Sequence, residues 1–131
     1  MKQPALPGGE LEYAVLAALW ELGPASARAV HERVGEPREL VYTTTAKVLD
    51  RLHDKGLVSR KKSGKAFVYR AKVGRSVIEQ ARATDVVTKM LGDEPRPAMA
   101  ALVSAVEAVD PKLLDELERL VAARRRSGRG S

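Results

Sequence analysis

Apolar positions recur at helical spacing along most of this chain, and the interruptions fall at glycine and proline. Leu11, Val15, Leu16, Leu19 and Trp20 share one face and Gly23-Pro24 stops the run, which predicts a first helix from about Glu10 to Leu22. Ser26 suits the N-cap of a short second helix, Ala27 to Val34, with Val30 and Val34 turned inward. Gly35-Glu36-Pro37 makes a turn, and Leu40-Val41-Tyr42 leads into a third helix. In that helix Thr45, Val48, Leu49 and Leu52 fall at i, i+3, i+4 and i+7, so one stripe is buried. Gly56 after Lys55 supplies the left-handed residue that closes it.

The period then changes. Leu57-Val58 begins a strand, Ser63-Gly64 turns, and Phe67-Val68-Tyr69 returns as the second arm of a hairpin. Ala71 to Gly74 is a joint. Beyond it, Ser76-x-x-Glu79 has the form of a capping box opening a fourth helix that runs to about Leu91. Gly92 to Pro97, with two prolines, breaks that helix. Met99, Leu102, Val103 and Val106 form another helical stripe, and Asp110-Pro111 places an N-cap before a proline at the first helical position. Leu113, Leu114, Leu117, Leu120 and Val121 make the last stripe, and the polar run Ser127 to Ser131 is expected to be disordered.

Three short helices followed by a hairpin form the pattern of a winged helix-turn-helix. The expected fold is mainly α with a small β-hairpin: a winged domain over 1–73, a helical region over 74–126, and a tail over 127–131. The last three helices are too short to enclose a sizeable core of their own. Packing against the same segment of a second chain would cover Val77, Ile78, Met99, Leu102, Val103, Val106, Leu113, Leu114, Leu117, Leu120 and Val121 in a two-fold dimer. A cap folded back on the winged domain is the other solution.

Charge sharpens this division. Between Arg28 and Lys72 twelve Lys and Arg stand against five Asp and Glu, whereas from Val73 to Leu120 six stand against nine. A basic first half joined to a mildly acidic second half implies two jobs, the first of them on a polyanion. The 131 residues contain no Cys, which excludes disulfides, thiol redox sensing and thiolate metal sites. The longest apolar run, Ala14 to Trp20, is too short to cross a membrane, and Met-Lys-Gln-Pro-Ala-Leu-Pro-Gly lacks the apolar stretch of a signal peptide. A cytoplasmic, nucleoid-associated location follows as the expectation, with no cofactor and no metal.

Rotation by 100° per residue puts Thr43 and Lys47 opposite the buried stripe of the third helix, with Asp50 and Asp54 further along and Thr44, Ala46 and Arg51 on the flanks. If this helix enters a major groove, Thr43, Thr44, Ala46 and Lys47 are the base-reading candidates. The threonines equally suit helix capping and packing. Arg51 suits phosphate, as do Arg60, Lys61, Lys62 and Lys65 around the hairpin turn, with Arg28 and Arg38 nearby. Tyr42 is suited either to a phosphate contact or to the edge of the core. Phe67 and Tyr69 alternate on one strand and are expected to pack on the helices, a stacking role being the other reading.

These residues together resemble the penicillinase-repressor family of bacterial transcription factors. The likeness is carried by LEYAVLAALWELGPASARAVHERV, by YTTTAKVLDRLHDKGLVSRKKSGKAFVYRA and by the helical last third, so it spans nearly the whole chain. It implies a winged domain on a palindromic double-stranded DNA operator and a homodimer made by the helices after Gly74. By position it also implies contacts at Thr43, Thr44, Ala46, Lys47, Lys62 and Lys65. In many members a membrane-bound sensor protease relieves repression by triggering cleavage in the C-terminal region. Two features depart from the family. The Asn-Phe bond cleaved in the β-lactamase regulators is absent, the stretch reading Leu102-Val103-Ser104-Ala105-Val106. The cysteine cluster of copper-responsive relatives is absent too.

Two other classes compete. A winged module that uses its hairpin on a protein partner would usually expose apolar surface there, and this hairpin is basic. An enzyme would need a catalytic constellation, whereas His31 and His53 sit far apart on charged helices, outside any nucleophile, metal or phosphate-loop pattern.

Overall fold

The computed structural model describes residues 5–129. Helix α1 spans Glu10–Leu22 and is followed by a two-residue strand, β1, Ala25–Ser26. Helix α2, Ala27–Val30, opens on Ser26, whose hydroxyl accepts from the Ala29 amide at 3.1 Å. It runs without a break into a π turn over His31–Gly35 and a 3₁₀ turn over Glu36–Arg38. Then come α3, Tyr42–Asp54, and the wing strands β2, Val58–Ser63, and β3, Ala66–Ala71. Helices α4, Arg75–Leu91, α5, Pro95–Val109, and α6, Pro111–Arg129, complete the order.

The sheet has three antiparallel strands in the order β1-β3-β2, with Ala25 opposite Tyr69 and Val58 opposite Ala71. Ser63 pairs with Ala66, so the hairpin loop is Gly64-Lys65, with Gly64 at φ 63°, one residue later than the turn expected at Ser63-Gly64. Strand β1 escapes sequence reading because two residues carry no period. Its pairing makes β3 the central strand and fixes the wing to the helical body.

Periodicity alone would continue the second helix in α form to Val34, and the π turn that replaces its end has a visible cause. Gly35 passes so close to α3 that an added Cβ would lie 2.2 Å from His31 Nδ1 and 2.6 Å from Thr45 Oγ1. These two atoms are themselves joined by a 2.7 Å buried hydrogen bond. A wider turn lets the chain step over Thr45 while Val30 and Val34 stay in the core.

Two compact units form, Met1–Thr84 and Asp85–Ser131, dividing within α4. The first holds the core: Val15, Leu16 and Leu19 of α1 meet Val48, Leu49 and Leu52 of α3, closed by Leu57, Val58 and Tyr69. Ile78, expected in a dimer interface, is fully buried in this core, which draws the start of α4 into the winged unit. Trp20 donates its indole N–H to the Val73 carbonyl at 2.9 Å. The capping box expected at Ser76 does not form at that register. Ser76 lies inside α4, and the Glu79 carboxylate accepts instead from the Tyr13 hydroxyl and from Arg82.

In the second unit α4 ends at Leu91, the expected break runs over Gly92 to Glu94, and Pro95 and Pro97 occupy the first turn of α5, where the missing N–H has no partner to lose. Asp110 caps α6, accepting from the Lys112 amide at 3.0 Å. Helix α6 continues through Ser127 to Arg129, past the start of the expected disordered tail, of which residues 130 and 131 lie outside the described residues.

Gly35→Ala should lose about 1–3 kcal/mol of stability, because the new methyl must displace His31 or Thr45. Urea denaturation of wild type and variant checks it; an unchanged midpoint would show that the π turn yields without strain.

Candidate nucleic-acid interface

The outward face of α3 follows from which of its residues the core takes. With Thr45, Val48, Leu49 and Leu52 buried, Thr43 and Lys47 are fully outward and exposed, while Thr44 and Ala46 are half-buried at the edges. The N-cap position is Val41, which offers no side-chain acceptor, so the first turn of α3 is left open to an external one.

Beside this turn three aromatic and cationic groups stack outward from the core. His31, held by Thr45, meets the Tyr42 ring edge-on at 5.6 Å, and the Arg28 guanidinium lies 5.3 Å from the Tyr42 centroid. The Tyr42 ring covers His31 at the core edge, and the rest of it is exposed. Across a groove of about 370 Å³ stands the wing, so that Arg28, Tyr42 and Ala46 face Lys65 and Phe67. Phe67, expected to pack on the helices, is 40% exposed, whereas Tyr69 is buried.

The basic candidates divide into two sets. Lys47, Lys61, Lys62 and Lys65 are exposed and form no ion pair among the described residues. Arg51 and Arg60 are engaged within the chain: Arg51 with Glu12 at 3.3 Å, Arg60 with Asp50 at 3.0 Å. Arg38 likewise pairs with Glu10 and donates to the Val34 carbonyl. Side-chain neighbours from distant parts of the chain decide this partition, and local spacing carries no trace of it.

Glu12 is a positioning residue that pattern reading missed. It lies three and four residues before Val15 and Leu16, on the buried stripe of α1, where an acid requires an internal partner. It has three: Lys55 Nζ at 2.7 Å, Arg51 Nε at 3.3 Å and the Gly8 amide at 3.0 Å. Lys55 also donates to the Leu6 carbonyl. The start of α1 is thereby tied to the end of α3. Burial disfavours the Glu12 carboxylate, but the hydrogen bonds from Lys55 and Gly8, the Lys55 charge and Arg51 outweigh it and hold its pKa below the ordinary glutamate value.

An exposed helix face beside a basic hairpin is the arrangement of a winged helix that holds duplex DNA. Residues 8–123 match the penicillinase repressor family. The chain belongs to that family. It is 35% identical over 115 residues to the Transcriptional regulator BlaI of two Mycobacterium tuberculosis strains, CDC 1551 / Oshkosh and ATCC 25618 / H37Rv, the match covering 87% of this chain and 82% of each relative. The solution structure of the DNA binding domain of the repressor BlaI superposes with a TM-score of 0.50 at 22% identity, over 57% of this chain and 93% of that one, a likeness of fold. This member is a DNA-binding transcriptional repressor of the winged helix-turn-helix class. No helix among its described residues is long and apolar enough to cross a membrane, and no group of three or more His, Asp or Glu is placed to hold a metal.

Because its native pKa is depressed, Glu12 contributes stability that is complete above the ordinary glutamate pKa and is lost as pH falls through the native value. Glu12→Gln should therefore destabilise by about 1–3 kcal/mol at neutral pH, with the difference from wild type closing in acid. Unfolding free energies measured between pH 7 and 3 check the sign; a constant difference would mean that the carboxylate charge is not what holds α3.

Proposed function

We propose that this repressor binds an inverted-repeat operator as a homodimer and represses by occluding a promoter. Helix α3 enters the major groove, where Lys47 suits a guanine edge and the Thr43, Thr44 and Ala46 methyls and hydroxyls suit thymine and neutral edges. Arg28, Tyr42, Lys61, Lys62 and Lys65 then meet backbone phosphates on either side. The observation that carries this reading is the outward Thr43 and Lys47 on α3, separated by a groove from the exposed lysines of the wing. Two such helices, one from each protomer, would meet successive major grooves about 10 bp apart or a multiple of that.

The helices after the winged unit support the dimer. No described side chain of α5 or α6 is fully buried, and Met99, Val103, Leu113, Leu120 and Val121 are exposed, while Leu102, Val106, Leu114 and Leu117 are half-buried. Val77, on α4, is a further exposed apolar side chain. A second copy would cover these stripes. Val103-Ser104 lies in the stretch where the resemblance implies an Asn-Phe bond, so derepression by the usual sensor protease forms no part of the proposal. Catalysis forms none either: His31 is buried against Thr45, and His53 lies beside Asp54. The protein would act in the cytoplasm, on the nucleoid.

Selection from a random duplex library at near-physiological salt should recover an inverted repeat, and enrichment of no sequence would sink the proposal. On the recovered duplex Lys47→Ala should weaken binding by roughly 1–3 kcal/mol and relax preference at one base pair. A uniform loss on all sequences would make Lys47 a phosphate contact. Lys62→Ala with Lys65→Ala should lower the salt slope by about 0.9 for each phosphate that the wing no longer neutralises; an unchanged slope would remove the wing from the interface. Residues 1–84, which retain Ile78 and Ala81 in the core, should sediment as a monomer. A dimer surviving that cut would refute the division of labour.

A further inference from the structure

We infer that Asp50 and Arg60 form a strut that sets the angle of the wing against α3, which makes Arg60 a positioning residue and not a phosphate contact; the inference rests on α3 and the wing engaging DNA together. Asp50 lies on α3 one turn beyond Lys47, on the side that meets DNA. An acid there repels phosphate unless its charge is met. The Arg60 guanidinium of β2 meets it, Nη1 to Oδ1 at 3.0 Å. The same guanidinium lies over the Phe67 ring of β3, 4.6 Å from its centroid. Phe67 in turn meets the buried Tyr69 edge-to-face at 6.3 Å.

One unbroken series of contacts therefore runs from the recognition helix through both wing strands to the core. Tyr69 fixes the base of the wing, but the turn at Gly64-Lys65 lies well beyond it, and a two-stranded ribbon is free to bend. Arg60 lies directly opposite Tyr69, so the Asp50 contact ties the edge strand β2 to α3 at the level where Tyr69 holds β3, and the contact of Arg60 with Phe67 extends that hold toward the turn. A solvent-screened ion pair contributes little stability, so its use is geometric. It holds Lys62 and Lys65 at the reach that matches Lys47 in the neighbouring groove. Arg60, with its planar guanidinium, can meet a carboxylate and a ring together, which an ammonium does less well.

The test compares full-length wild type, Asp50→Asn, Arg60→Gln and the double variant on the selected duplex and on a scrambled duplex of equal length, across a range of salt. A strut predicts that each single variant loses about two- to fivefold in preference for the selected duplex and that the double variant is no worse than either. It also predicts an unchanged salt slope in Arg60→Gln. Asp50→Asn removes a negative charge from a DNA-facing side, so a purely repulsive Asp50 would raise affinity equally on both duplexes; that result overturns the inference. A salt slope lower by about 0.9 in Arg60→Gln overturns it as well, by making Arg60 a phosphate contact. Residual dipolar couplings of the protein without DNA give a readout independent of binding. In Asp50→Asn the wing amides should reorient relative to α3 while the helix amides keep their values, and unchanged wing couplings refute the strut. Wild type with no preferred duplex would overturn the DNA reading instead, and the couplings would still decide the strut.

Discussion

The winged unit depends on how closely the turn after α2 can approach α3. At Gly35 the backbone lies against a buried hydrogen bond between His31 and Thr45, leaving no room for a side chain. That single approach sets the angle of the helix-turn-helix. It also reaches the surface, because His31 supports Tyr42 and Tyr42 supports Arg28. A cation at the groove between α3 and the wing is thus placed by a glycine in the core. The buried polar pair is satisfied on both sides, so it orients the helix without the penalty of an orphaned donor or acceptor.

The far end of α3 is held by different means. There Glu12 gathers Lys55 and Arg51, so the helix is fastened by hydrogen bonding near its start and by charge near its end. This arrangement separates the cations with a partner in the chain from those without one. Arginines and lysines near α3 and the wing are not equivalent: Arg51, Arg60 and Lys55 have a carboxylate partner within the chain, and Lys47, Lys61, Lys62 and Lys65 are exposed without one among the described residues. Since phosphate binding grows with the number of cations that can displace counterions, the partition bears on affinity more directly than the net charge does.

Much of this architecture was legible in the residues. The four-residue stripe on α3 and the limits of α1 follow from periodicity, because an amphipathic helix has to hide one face. The outward position of Thr43 and Lys47 is the complement of that stripe, so half of the candidate site comes with it. Pattern reading failed where partners are distant in sequence. Glu12 and Asp50 are matched by residues 43 and 10 positions away, and neither match has a local signature. Ile78 occupies a helical stripe like its neighbours, and spacing alone could not assign it to the winged core over a partner chain.

The sequence by itself determined the order of the helices and the hairpin, the basic character of that hairpin and the apolar stripes of the last helices. These depend on properties each residue carries wherever it sits: polarity, charge and backbone preference. Only the tertiary structure decided that β1 makes β3 a central strand, that a π turn carries the chain over Thr45, and that Arg51 and Arg60 have carboxylate partners within the chain. Each of these is a meeting of groups whose distance is set by packing. Packing is a property of the whole fold, and no local window of residues contains it.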